Sequence, residues 1–168
     1  MELVAYGAQD IYLTGNPQIT FWKVVYRRHT NFAIESVSQT FNGTADFGKT
    51  PNAVISRNGD LIHRVYLQVD LPALANSAGT VNWVRNLGHV MIDYVELQIG
   101  GQLIDKQYGD WMNIWNELCL PAEKEDGYNV MIGNTVDLTT PSASIAAATI
   151  YVPLQFWFNQ DLKSTLVC

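Results

Sequence analysis

Leu61-Ile62-His63-Arg64-Val65-Tyr66-Leu67-Gln68-Val69-Asp70-Leu71, followed by Pro72, places Leu61, Val65, Leu67, Val69 and Leu71 on one face and Arg64, Gln68 and Asp70 on the other. Side chains of a strand alternate between faces, so this stretch reads as a half-buried β-strand, and Pro72 ends it. Near the other end, Ile150, Val152, Leu154, Phe156 and Phe158 share a face opposite Tyr151, Pro153, Gln155 and Trp157. Pro153 cannot donate to a ladder, which puts this strand at an edge or at a bulge. Val95, Leu97 and Ile99 alternate with Tyr94, Glu96 and Gln98, and Gly100-Gly101 separates them from Gln102-Leu103-Ile104-Asp105, a hairpin signal. Weaker strand signals run from Phe32 to Phe41 and from Asn52 to Ser56, and Asn58-Gly59 predicts a second hairpin turn.

One helix interrupts this pattern. Trp111, Ile114, Trp115 and Leu118 follow helical spacing, Asp110 is placed to cap the start, and Pro121 stops continuation. A helix of about ten residues is marginal alone, so the Trp-rich stripe is expected to pack on a sheet as core. Short strands, close turn signals and one inserted helix make an all-β antiparallel sandwich or barrel. Nothing alternates as βαβ, and nothing repeats.

The composition agrees with one core-forming domain. The 168 residues are 48% hydrophobic and 15% charged, with 10 Lys+Arg against 16 Asp+Glu and a net charge of -6. No uninterrupted apolar run reaches the roughly 18 residues of a membrane span, and Met1 to Tyr6 lacks the basic and apolar regions of a secretory signal. Cys119 and Cys168 are too few for a disulfide framework, and a reducing compartment is expected. Residues 1–31 carry Lys23, Arg27 and Arg28 against Glu2 and Asp10, a net +1, which leaves -7 for the rest. So acidic a surface repels a polyanion, and specific nucleic-acid binding is not expected. The basic patch Tyr26-Arg27-Arg28-His29 reads as a loop that pairs with acidic groups of its own domain or of a neighbour.

Reactive groups do not converge. His29, His63 and His89 show no metal-ligand spacing, and His63, on an apolar strand face, is expected to be partly buried and hydrogen-bonded. No nucleophile elbow or phosphate loop occurs, and Cys119 lacks the basic setting of a reactive thiolate. Acid pairs such as Asp93/Glu96 or the cluster Glu123/Glu125/Asp126 read as solvated carboxylates. Neither a catalytic activity nor a cofactor or metal is expected. Asn42-Gly43-Thr44 matches a glycosylation sequon on a turn, and 13 Asn lend the surface a polar, weakly charged character suited to protein or sugar contacts.

Three strings carry a more specific signal: Tyr6-Gly7-Ala8-Gln9-Asp10, Tyr12-Leu13-Thr14-Gly15-Asn16-Pro17-Gln18-Ile19-Thr20-Phe21, and Val25-Tyr26-Arg27-Arg28-His29-Thr30-Asn31-Phe32. In this order the sequence resembles the major capsid protein of nucleocytoplasmic large DNA viruses, the group of phycodnaviruses, iridoviruses and mimivirus relatives. Ser56 to Ile62, Tyr94 to Gly101 and Tyr151 to Phe158 resemble that family in the same order. The resemblance implies a jelly-roll β-sandwich, the first of two in tandem, with an N-terminal arm over 1–31, the jelly roll over 32–158 and a divergent tail over 159–168.

It further implies a virion protein of an icosahedral shell, assembled in the host cytoplasm into homotrimers or larger capsomers beside minor capsid proteins and an internal membrane. On that analogy Lys23, Arg27 and Arg28 contact inner-shell proteins or the membrane surface, and the arm is ordered by partner contacts. Trp22, Trp83 and Trp157 become candidate interface anchors. After Phe158 the likeness ends, which implies either a truncated, spliced or frameshifted copy of a two-barrel protein or a one-barrel paralogue that pairs with a second-barrel chain. A sugar-binding jelly-roll module is the alternative from another class.

Overall fold

The computed structural model describes residues 29–159 and Leu166–Val167. The chain divides into two compact units, residues 1–38 and 39–168. In the first, residues 29–38 form neither helix nor strand, and Phe32, Ile34 and Val37 are exposed.

In the second unit, β1 (Leu61–Ile62) and β2 (Val65–Leu71) are separated by His63-Arg64, so the single strand expected over 61–71 is two. Then come β3 (Leu74–Ala75), α1 (Leu87–Val90), β4 (Tyr94–Ile99), β5 (Gln102–Tyr108) and α2 (Gly109–Cys119). After a 3-10 turn at Ala122–Lys124 follow α3 (Glu125–Ile132), α4 (Val136–Thr139), β6 (Ser144–Ile145), β7 (Ala148–Leu154) and, beyond a second 3-10 turn at Trp157–Asn159, β8 (Leu166–Val167). The protein is thus mostly strands with a few short helices, and α1, α3 and α4 add to the one helix that the spacing predicts.

The strands form four antiparallel pairs nested inside one another: β1 with β8, β2 with β7, β3 with β6 and β4 with β5. The β2–β7 ladder runs without a slip from Val65 opposite Leu154 to Leu71 opposite Ala148. Tyr66 lies opposite Pro153, and β7 pairs on one side only among the described residues, which is how the proline is accommodated. Burial follows the expected alternation: Leu71, Ile150, Val152 and Leu154 are buried, while Tyr66, Gln68 and Tyr151 face out. Phe156 and Phe158 are also buried although the backbone has left the strand by then.

The β4–β5 hairpin forms as the spacing predicts. Gly100 and Gly101 both have positive φ, the conformation that a two-residue type I′ turn requires and that side chains resist. A bulge then leaves Ile104 without an opposite residue, because Leu97 faces Asp105 and Gln98 faces Leu103.

Three local expectations are corrected. Asn58-Gly59 does not turn a hairpin: neither residue has positive φ, and β1 pairs with β8 rather than with the preceding stretch. Phe32–Phe41 and Asn52–Ser56 are not strands, since a strand needs a neighbour's donors and acceptors, and the one bridge here joins Asn42 to Asn52. Asp110 sits inside the first turn of α2 rather than at its cap, which is Tyr108.

Two clusters make the core. Leu71, Leu87, Leu138, Ile145, Ile150 and Val152 form one, and Met112, Leu154, Phe156 and Phe158 the other. The second is reached by α2 through Met112, which is 0% exposed, whereas Trp111, Ile114 and Leu118 are 42%, 51% and 79% exposed. Three of the four stripe residues expected in the core therefore face outward, and Trp115 is half-buried. The reason lies at Gly109, where a Cβ would fall well inside 3.0 Å of the His89 and Ile92 carbonyl oxygens. That close approach turns the Gly109–Met112–Asn116 side of α2 inward, and at about 100° per residue the Trp111–Ile114–Leu118 side points the other way.

Candidate functional site

Among the described residues, 23 large hydrophobic side chains are exposed against 11 buried in the core. Single exposed apolar residues are ordinary on a soluble protein, but here they come in local groups, the one on α2 along a single helix face. On α2 the set is Trp111, Ile114 and Leu118, with the Trp111 and Trp115 rings 6.0 Å apart and tilted by 46°. At the hairpin it is Ile99, Leu103 and Ile104 around the Gly100-Gly101 turn. Before β1, Phe41, Phe47, Val54 and Ile55 are exposed on irregular backbone.

The candidate anchors differ in setting. Trp157 is 40% exposed and meets Phe158 edge to face at 5.1 Å, so a core residue props it outward. Trp83 is half-buried and packs on the core cluster around Leu87 and Leu138, its Nε1 buried without a partner and its backbone N–H donating to the Leu138 carbonyl at 2.9 Å. Trp22, Lys23, Arg27 and Arg28, and with them nearly all of the N-terminal arm, lie outside the described residues. Asn42 is exposed, donates its backbone N–H to the Asn52 carbonyl at 2.7 Å and precedes Gly43, whose φ is positive.

Lys106 lies 2.9 Å from Glu96 across the β4–β5 ladder and 4.0 Å above the Tyr94 ring; the hydrogen bond to Glu96 raises its pKa. This is a cross-strand pair of the kind that steadies a hairpin. No group of three His, Cys, Asp or Glu among the described residues is placed to hold a metal, and no helix there is long and apolar enough to cross a membrane. Cys119 is an exposed free thiol.

His63 is half-buried, but its Nδ1 has no hydrogen-bond partner, contrary to expectation. The well-connected histidine is His89, 1% exposed, with Nε2 at 2.9 Å from the Tyr128 hydroxyl and Nδ1 at 3.4 Å from Asn113 Oδ1. Asn86 Nδ2 donates to the same Asn113 oxygen at 3.2 Å. Burial lowers the His89 pKa, opposed in part by the Asn113 hydrogen bond, and burial pushes Tyr128 up to about 12. Sequence reasoning passed over this cluster because its members come from three helices; Asn113, a polar residue on the inward side of α2, was its one local sign.

Residues 20–167 match the family described as "Major capsid protein N-terminus". The chain is 52% identical to the major capsid protein of Phaeocystis pouchetii virus over 96% of its own length and 36% of that protein's. It is 57% identical to the major capsid protein of Pyramimonas orientalis virus, over 96% of this chain and 40% of the relative. Capsid protein 1 of Acanthamoeba polyphaga mimivirus is 48% identical over 96% of this chain and 30% of its own. Among solved structures, PBCV-1 VP54 fitted into a cryo-EM reconstruction of the virophage Sputnik superposes with a TM-score of 0.70 at 38% identity, over 88% of this chain and 34% of that one. The chain therefore spans between 30% and 40% of these relatives, and none of the four is described as sugar-binding. By the family match over residues 20–167 and by identities above one half, this chain belongs to the family of the major capsid protein N-terminus.

Proposed function

We propose that this chain is a building block of the capsid shell of a large icosahedral DNA virus and works by associating with other capsid chains, without catalysis. The observation that carries this reading is the outward apolar set, 23 large side chains exposed against 11 buried, on a member of a capsid family. Exposed apolar area on that scale is stabilised by covering it, at roughly 25 cal/mol per Å². A lasting capsomer contact buries on the order of 1,200 Å² or more, with aromatic anchors near its centre. Trp157 and the α2 side chains Trp111 and Ile114 are the anchors nearest to that description, and Trp22 is a further one on the arm.

The nested order of strand pairs supports a jelly roll, because rolling one long hairpin about itself pairs first with last, second with second-last, and so on. The relatives' greater length supports a second barrel, supplied by further chain or by a partner, and three such two-barrel units would close a six-cornered capsomer. Lys23, Arg27 and Arg28 would then face minor capsid proteins or an inner membrane, in a virion assembled in the host cytoplasm. Asn42, exposed on its turn, would be open to glycosylation in a host that delivers the modifying enzyme.

Native mass spectrometry and sedimentation of the 168-residue chain, alone and mixed with a second-barrel partner, test the reading. Trimers or larger closed assemblies are expected in at least one of the two samples. Deleting residues 1–31 should abolish assembly and leave the sandwich folded. Monodisperse monomers in both samples, at concentrations well above those of assembly, would refute the proposal.

A further inference from the structure

The His89 imidazole stands where three helices meet. It leaves α1, reaches α2 through Asn113 and α3 through Tyr128, and is shut away from solvent. Asn86, which precedes α1 in the left-handed conformation at φ 51°, ties the same Asn113 oxygen to the start of that helix. Asn tolerates that conformation better than most residues do. The backbone is as tight as the side chains: Gly109, the first residue of α2, leaves no room for a Cβ beneath the His89 carbonyl, and a Cβ on Gly88 would meet Val152 Cγ2 of β7 at 2.7 Å.

The partners select one protonation state. Asn113 Oδ1 already accepts from Asn86 and carries no hydrogen, so Nδ1 of His89 is the protonated nitrogen and donates. Nε2 is then a bare acceptor, and the Tyr128 hydroxyl donates to it. A second proton, on Nε2, would confront the Tyr128 hydrogen and force the hydroxyl to rotate, so that its oxygen accepts from Nε2 and its own hydrogen loses the acceptor it had. It would also leave a positive charge in a site with no carboxylate beside it. Asp93, Asp110 and Glu117 around α2 and Glu125 and Asp126 on α3 are all exposed, as is Arg85 ahead of α1. From β7 the side chain that faces α1 is Val152, at Gly88, while the titratable Tyr151 points outward.

We propose that His89 is an acid-released latch: neutral, it clamps α1, α2 and α3 together, and protonation loosens the three helices while the β2–β7 ladder stays paired. The direction of the pKa agrees. A histidine whose folded pKa lies below its ordinary value stabilises the fold above that ordinary value, and the stability is withdrawn as pH falls through 6.5 towards the folded pKa. Because α2 also carries the outward Trp111–Ile114–Leu118 face, the latch sets whether that face is held in place or freed. The latch stands whether or not that face binds another chain, since its test reads the isolated protein.

The test is amide hydrogen exchange of the full chain between pH 7 and pH 5, corrected for intrinsic rates, together with nitrogen-15 NMR of the histidine rings. Protection in α2 and α3 should fall as pH drops, by no more than about tenfold per pH unit, the limit for one proton. The β2–β7 amides should keep theirs. The loss should set in near pH 6.5 and level off where the His89 ring titrates, the neutral ring should report Nδ1 as the protonated nitrogen, and His89→Gln should flatten the loss. The His89 ring titration, set against the pH at which the loss levels off, decides the matter by itself should that variant not fold. Protection that does not change with pH, a loss shared equally by β2–β7, a loss that levels off at the titration of His29 or His63 rather than of His89, or an unaltered profile in a folded His89→Gln would each overturn the latch.

Discussion

Replacing Gly109 by Ala and Gly127 by Ala makes the same chemical change at two helical glycines with opposite consequences. In an open helix the methyl group is favourable by about 0.5–1 kcal/mol, because Gly loses more backbone entropy on folding and Ala is the best helix former. Gly127, in α3, has nothing within 4 Å of the position that a methyl carbon would take, so this gain should appear in full. At Gly109 the added carbon would lie well inside 3.0 Å of the His89 and Ile92 carbonyl oxygens, both backbone atoms that cannot swing aside. Overpacking of this kind costs about 3 kcal/mol at the upper end of its usual range. The small propensity gain offsets at most a third of that, which leaves a net loss of about 2 kcal/mol. At about 4 °C per kcal/mol for a domain of this size, Tm should fall by about 8 °C for Gly109→Ala and rise by about 2–4 °C for Gly127→Ala. Calorimetry of both variants against the parent is the assay. An unchanged or higher Tm for Gly109→Ala would refute the claim that this close approach sets the rotation of α2, and with it the explanation of the outward stripe.

Phe158→Ala empties a site that is 0% exposed and stacked on Phe156 at 5.5 Å, and should lower unfolding stability by about 3–5 kcal/mol in urea titrations. A triple change of Trp111, Ile114 and Leu118 to Gln should leave Tm within a few degrees of the parent, because these side chains contribute little to the core, while sedimentation shows weakened assembly; assembly of unaltered strength would remove α2 from the interface. In alkali the buried phenol of Tyr128 matters: an acid whose folded pKa is raised from 10.0 to about 12 stabilises the fold below pH 10 and loses that contribution as pH climbs through 12. Spectrophotometric titration should show a late-ionising tyrosine in the parent that disappears in Tyr128→Phe.

What could be read locally was read well where an element's own neighbours in sequence decide its conformation. Gly100-Gly101 turned the predicted hairpin because positive φ is a property of those two residues. The alternation from Ile150 to Phe158 named the buried face, and burial persists at Phe156 and Phe158 even past the end of the strand. Asn58-Gly59 carries a turn signal of similar strength and did not turn a hairpin, because β1 found its partner more than a hundred residues away in β8. As for the candidate site, Trp157 was legible as an outward residue of an alternating strand, whereas Trp111, Ile114 and Leu118 of the α2 stripe were assigned to the wrong side.

By itself, then, the sequence determined the class of the protein, the faces of its longest strands, one tight turn and its family, all of which rest on residue identity and short-range period. Only the tertiary structure decided which strands pair, which side of α2 is covered, and that His89, Asn113 and Tyr128 form one buried cluster. The physical reason is common to all three. A period of 2 or 3.6 divides an element into two faces, but which face is removed from water depends on what packs against it. At α2 that was decided by two backbone carbonyls crowding a glycine rather than by the hydrophobicity of the stripe.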